Sequence, residues 1–107
     1  PIWFNSIPEV ERHDLRKKLK RFRYSLEFFY EFLDHKAYKN FSKELKIVLE
    51  NLGDYNDICV AIEKINESLE DNMPHWFALG WLKAEQKRVE QLCEISLKRF
   101  FSMSRIW

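Results

Sequence analysis

Residues that interrupt helices are scarce in this sequence, which has two glycines and three prolines among 107 residues. Hydrophobic residues make up 46% of the chain, enough to build the core of one small domain. No stretch shows the strict apolar–polar alternation that is typical of a half-buried strand. The composition therefore predicts a single all-α domain over residues 1–107. Because Pro1 stands where an initiator methionine would, we expect this domain to be a piece of a longer protein.

Cysteine is equally scarce, and long apolar runs are missing. Cys59 and Cys93 form no CxxC pair, which excludes a disulfide framework and a cysteine-rich zinc site. We interpret both as small buried hydrophobes of a reduced, cytoplasmic protein. No apolar run approaches the roughly 20 residues that cross a bilayer, so no membrane partner is expected.

The motifs of catalysis and metal binding are also missing. The sequence contains no GxSxG, no P-loop and no cluster of paired acids, and Asn56-Asp57 is interpreted as a helix cap. His13, His35 and His75 lie on separate segments without HxxxH or HExxH spacing. We therefore expect neither an enzyme nor a bound metal or other cofactor.

Apolar residues recur at helical spacing in four segments. The first segment starts at a predicted capping box over 6–9, and the second ends at Gly53. The third segment begins with Asp54 as its N-cap, and the fourth starts near His75. Their predicted core positions are, in order, Leu15, Leu19, Phe22, Leu26, Phe29 and Leu33; Phe41, Leu45, Val48 and Leu52; Ile58, Ile62, Ile65 and Leu69; and Ala78, Leu82, Val89, Leu92, Phe100, Met103 and Trp107. Short connections between the segments predict an up-down antiparallel four-helix bundle.

Positive charge is concentrated on the first predicted helix, although the formal net charge of the chain is only +1. Between Arg12 and Arg23 there are seven Lys or Arg residues and one acid, Asp14. At 100° per residue, the side chains within about 60° of His13 are those of Arg16, Lys17, Lys20 and Tyr24, opposite the apolar stripe. Repulsion among these cations costs about 1–3 kcal/mol, and the helix dipole disfavours cations near the N-terminus. The basic face therefore predicts an anionic ligand.

The same residues resemble a known family. Three stretches of the first predicted helix are similar to the signature helix of the CHAD family, the conserved histidine α-helical domain. They are His13-Asp14-Leu15-Arg16, Lys20-Arg21-Phe22-Arg23-Tyr24 and Leu26-Glu27-Phe28-Phe29. Leu52-Gly53-Asp54-Tyr55-Asn56-Asp57 resembles the turn into the next helix of that family. Gly80-Trp81 and the aromatic residues from Phe100 to Trp107 resemble its last helix.

This resemblance implies that the chain is one half of a CHAD domain, which consists of two four-helix halves around a basic channel and binds inorganic polyphosphate. It also implies fusion to a triphosphate-processing domain of the CYTH type and association with polyphosphate granules. The chain looks most like the C-terminal half, so either a second CHAD half or a second copy in a homodimer would complete the channel.

Carried over by position, the polyphosphate-binding residues of the family correspond to His13, Arg16, Lys20, Arg21 and Arg23, with Lys17 and Tyr24 added from the same face. Lys83, Lys87 and Arg88 on the fourth predicted helix would extend this surface. The expected function is non-catalytic binding or targeting.

Two alternatives remain at the level of the sequence. A cationic helix also suits a nucleic-acid backbone, although only Tyr24 is well placed to stack on a base. The basic face could equally dock an acidic protein partner onto a helical scaffold.

Overall fold

The computed structural model describes residues 4–103, which form three α-helices. Helix α1 spans Glu9–Phe28, α2 spans His35–Glu67 and α3 spans Met73–Phe101. Single 3-10 turns at Phe4–Ser6 and Tyr30–Phe32 precede α1 and α2. The long α2 packs against both other helices, and no strand occurs in the described part of the chain. The all-α prediction is confirmed, and none of the helices described is long and apolar enough to cross a membrane.

The prediction of four helices is wrong, because its second and third segments form the single helix α2. Gly53 lies within this helix and does not adopt a positive φ, so it neither ends a helix nor leaves Asp54 as an N-cap. Glycine in a helix interior costs about 1 kcal/mol relative to alanine. Buried Leu52 and Tyr55 on either side of Gly53 outweigh that cost, since each contributes more by contact with the core.

The observed helix ends agree with the sequence-based prediction only in part. Asp34 caps α2 by accepting hydrogen bonds from the amides of Lys36 and Ala37, and Asn72 caps α3 by accepting one from His75. The predicted capping box is wrong, because α1 begins after Pro8 without a side-chain cap. Asn56-Asp57 caps nothing, since both residues lie inside α2.

The core confirms most of the predicted apolar positions. Those found buried are Leu19, Leu26, Phe41, Leu45, Val48, Leu52, Val89 and Phe100, and those partly buried against the core are Leu15, Phe22, Leu33, Ile58 and Met103. Phe29, Leu69 and Leu92 are exposed instead, and Trp107 lies outside the described residues. On α3 the buried side also includes Leu79, Cys93 and Leu97, because α3 packs against α2 and the 3-10 turn Phe4–Ser6 and not between two neighbours of a four-helix bundle.

Both cysteines are free thiols, as the sequence predicts, but only one is fully buried. Cys93 lies in the core, where burial raises the pKa of its thiol to about 12, and Cys59 is half-buried. Next to Cys93, the buried Ser96 hydroxyl accepts a hydrogen bond from the Asn51 amide at 3.1 Å and donates to the Cys93 carbonyl. This contact joins α2 to α3 through polar groups that would otherwise be unsatisfied.

Candidate functional site

The two family-like motifs lie opposite each other across the contact between α1 and α2. The basic stretch of α1 faces the part of α2 that includes Gly53 and Tyr55. Arg16 crosses Gly53 closely: a β-carbon placed on this glycine would lie 3.6 Å from the Nε and Nη2 atoms of Arg16. The absence of a side chain at Gly53 therefore lets the Arg16 guanidinium rest against the backbone of α2.

An open groove of about 350 Å³ runs between these two helices. We call it the basic groove. Its lining residues are Arg16, Lys20, Arg23 and Tyr24 from α1 and Lys46, Leu49, Glu50, Gly53, Asp54 and Asp57 from α2. Four cations and three carboxylates line it, a balance of +1, so the basic groove has mixed charge and cations supply most of its α1 wall.

The structure brings together four of the seven predicted site residues. Arg16, Lys20, Arg23 and Tyr24 line the basic groove. His13 instead borders a much smaller neighbouring cavity, which Arg16 also lines. Lys17 and Arg21 are exposed on α1 outside both cavities.

The three cations of α3 lie elsewhere. Lys83, Lys87 and Arg88 do not line the basic groove, and Arg88 makes a two-pronged ion pair with Glu85, with a closest distance of 2.8 Å. That ion pair raises the pKa of Arg88 and lowers that of Glu85 through the hydrogen bonds that they share. The proposed extension of the surface onto α3 therefore has no support from the geometry of the groove.

Two arginines of the basic groove carry donors without an acceptor. The Nε atoms of Arg16 and Arg23 are buried, and neither donates a hydrogen bond within the described chain. Arg23 Nε is 3.6 Å from the Glu27 carboxylate, an ion-pair distance that is too long for a hydrogen bond. Buried donors without acceptors are rare and costly. Solvent does not reach either Nε atom, so a ligand oxygen would satisfy them only after the two guanidinium groups turn outward.

Sequence reasoning missed the contribution of α2 to the groove. Lys46, Glu50, Gly53 and Asp57 recur at intervals of three or four residues, which places them on one face of a continuous helix. Splitting α2 at Gly53 concealed this spacing. Reading the apolar positions Phe41 to Tyr55 as one uninterrupted series would have revealed it.

Arg12, the first cation of the basic stretch, belongs to the core and not to the groove. Its guanidinium donates to the Ile7 carbonyl at 2.9 Å and to the Tyr55 hydroxyl, forms an ion pair with Glu90 at 3.7 Å, and lies 4.3 Å from the ring centre of Phe4. Burial raises the pKa of Tyr55 well above its ordinary value, so its hydroxyl stays neutral and accepts this bond. Arg12 thereby links the turn before α1 to α2 and α3.

Comparison with known families agrees with these motifs. A family model described as CHAD domain matches residues 5–66, which contain the whole of α1 and nearly all of α2. The predicted resemblance of Gly80-Trp81 and of the C-terminal aromatic residues lies beyond this match. Comparisons with curated proteins and with solved structures gave no match. The matched region covers more than half of the chain and includes both walls of the basic groove. The chain belongs to the CHAD family.

Proposed function

We propose that the basic groove binds inorganic polyphosphate and that the domain acts as a non-catalytic binding module. The observation that carries this proposal is the α1 wall of the basic groove, where Arg16, Lys20 and Arg23 lie side by side. Membership of the CHAD family supports the same ligand class, since the resemblance to this family implies polyphosphate binding.

The chemistry of the groove suits a linear chain of phosphates. Arg16 and Arg23 are seven residues apart, about 10 Å along α1, and Lys20 lies between them. Each planar guanidinium can donate hydrogen bonds to two phosphate oxygens, whereas Lys20 provides a more mobile point charge. A polymer following α1 would meet the three cations in succession.

The carboxylates of α2 determine where such a polymer can lie. Glu50, Asp54 and Asp57 repel an anion that enters deeply between the helices. A polyphosphate chain therefore follows the α1 side, where Lys17 and Arg21 add charge on the outer surface. The expected number of phosphate contacts is about five, supplied by these two residues and the three groove cations.

Salt-dependent binding of long-chain polyphosphate tests the proposal directly. In a plot of the logarithm of affinity against the logarithm of salt concentration, about five contacts should give a slope near −3 to −4. This slope uses the counterion coefficient of a single-stranded polyanion. Single-stranded DNA of matched charge serves as competitor. Tight, salt-sensitive binding that DNA does not displace supports polyphosphate as the ligand, whereas absence of salt-sensitive binding contradicts the proposal.

The nucleic-acid alternative has one specific observation in its favour: the exposed ring of Tyr24 lines the basic groove and could stack on a base. If DNA displaces polyphosphate at equal charge, this alternative replaces ours. Replacing Tyr24 by Leu should then weaken DNA binding and leave polyphosphate binding nearly unchanged.

Substitutions at Gly53 test the position of Arg16. Gly53→Ala should fit, because its β-carbon makes ordinary contacts at 3.6 Å, and should raise the free energy of unfolding by up to about 1 kcal/mol through helix propensity. Gly53→Leu should displace the Arg16 guanidinium and weaken polyphosphate binding several-fold, the loss of about one phosphate contact. Urea denaturation and the binding assay measure both effects. Equal affinity for the two variants would show that Arg16 does not contact the ligand.

A further inference from the structure

The first three turns of α3 present an apolar face that nothing in the described chain covers. Met73 is 81% exposed, Trp76 55%, Phe77 78% and Trp81 59%. At 100° per residue these four side chains span an arc of about 140°, which makes them one surface. We call it the α3 apolar face. Exposed patches of this composition mark sites of protein–protein contact.

Gly80 leaves a hole in the middle of this surface. A β-carbon placed on Gly80 would meet no atom within 4 Å, so the position opens directly to the exterior. Glycine at an exposed helical position costs about 1 kcal/mol relative to alanine, and no turn or positive φ requires it here. The exposed ring of Phe77 stands beside this hole, one turn earlier on the same face.

The α3 apolar face is complementary to itself in an antiparallel arrangement. A two-fold axis between residues 78 and 79 places Phe77 of each copy opposite Gly80 of the other. The same axis places Met73 opposite Ala84. The large ring thus meets the empty position and Met73 meets a small residue, while Trp76 and Trp81 lie on the two edges of the contact.

The charges beside this surface fit the same axis. Glu70 and Asp71 precede the first residue of α3, so an antiparallel pair brings these exposed acids close to the exposed Lys87 of the partner copy. Asp71 also accepts a hydrogen bond from the Trp76 indole, and Arg88, next to Lys87, is paired with Glu85. Because the axis repeats each contact, two acidic segments meet two basic segments. A parallel pair would instead bring like charges together.

The area is sufficient for a weak dimer. An aromatic side chain buries about 150–250 Å² in full, so the exposed parts of these four side chains amount to about 500 Å² per copy. Two copies would remove about 1,000 Å² from water, which is the lower limit for specific interfaces. None of the four residues lines the basic groove, so both grooves stay open in the dimer.

We propose that a second copy of this chain docks antiparallel on the α3 apolar face, with Phe77 seated over Gly80 of its partner. Symmetric, isologous contacts of this kind are the commonest form of homo-oligomer. This proposal does not depend on the ligand of the basic groove.

Sedimentation velocity or light scattering over a range of concentrations tests the dimer in the whole chain. Wild type should show a mass that rises with concentration toward two copies. Phe77→Glu and Gly80→Leu should each weaken dimerisation by about 30-fold or more, the loss of one central anchor. Phe28→Glu, an equally exposed phenylalanine on α1, is the matched control and should dimerise normally.

Two further results distinguish docking from a folding defect. Gly80→Leu should raise the thermal stability of the monomer, because leucine favours the helix and the position is open, while it blocks the dimer. Lys87→Glu should weaken the dimer, and adding Glu70→Lys should restore it. A mass equal to one copy at all concentrations, or a dimer unaffected by Gly80→Leu, would overturn the proposal. So would coverage of this face by another part of a longer protein.

Discussion

Replacing Arg12 by alanine is expected to lower the free energy of unfolding by about 3 kcal/mol. The Arg12 side chain is only 11% exposed and makes an ion pair with Glu90 on α3. It also donates to the Ile7 carbonyl and the Tyr55 hydroxyl. Removing one partner of a buried charged network leaves the others unpaired, which costs about 3–5 kcal/mol in fully buried cases. The partial exposure of Glu90 places Arg12 at the lower end of that range.

Urea denaturation of Arg12→Ala measures this loss, and Arg21→Ala is the control. Arg21 belongs to the same basic stretch but is exposed and outside both cavities, so its replacement should change stability by less than about 0.5 kcal/mol. A double-mutant cycle with Glu90→Gln then isolates the ion pair across α1 and α3. Equal effects of Arg12→Ala and Arg21→Ala would show that Arg12 is merely a surface cation.

A helical wheel separates Arg12 from Arg16, Lys17 and Lys20, but not from Lys18 or Arg23. Arg12 lies about 100° from His13, on the side of the apolar stripe, whereas Arg16, Lys17 and Lys20 lie within about 60° of it. Its partners, however, could not be predicted. Glu90 and Tyr55 are on other helices, and only tertiary packing brings them to Arg12.

Helix content and most core positions could be predicted because both depend on local spacing. The number of helices could not, because Gly53-Asp54 has the local chemistry of a helix end followed by a cap. Tertiary contact overrides this preference: the core residues around Gly53 keep α2 continuous, and Arg16 occupies the space that a side chain would fill.

The candidate site, too, could be predicted from the sequence only in part. The α1 wall of the basic groove follows from one helix: its periodicity places Arg16, Lys20 and Tyr24 on one face, and the family resemblance adds Arg23. The acidic α2 wall follows from which face of α2 turns toward α1, a property of packing. Sequence reasoning therefore predicts a purely cationic surface, whereas the groove has mixed charge.

Replacing Arg16, Lys20 and Arg23 together by glutamine is expected to reduce polyphosphate affinity by at least about 100-fold. Three phosphate contacts are lost, so the slope of affinity against salt should become less steep by about 2. Glutamine keeps much of the apolar stem of each residue and relieves their mutual repulsion, so the free energy of unfolding should change by less than about 1 kcal/mol. The salt-titrated binding assay and urea denaturation measure the two quantities.

A second variant, which should raise the polyphosphate affinity, provides the control. Asp54→Asn with Asp57→Asn keeps the shape of the groove and raises its charge from +1 to +3. Polyphosphate affinity should therefore rise several-fold, since both carboxylates repel a polyanion lying along α1. Opposite shifts that exceed those of charge-matched substitutions at Lys17 and Arg21 require a ligand along the basic groove, because a diffuse polyanion on the outer surface would respond mainly to Lys17 and Arg21. If the glutamine variant loses stability by several kcal/mol instead, the three cations maintain the fold and the binding proposal is wrong.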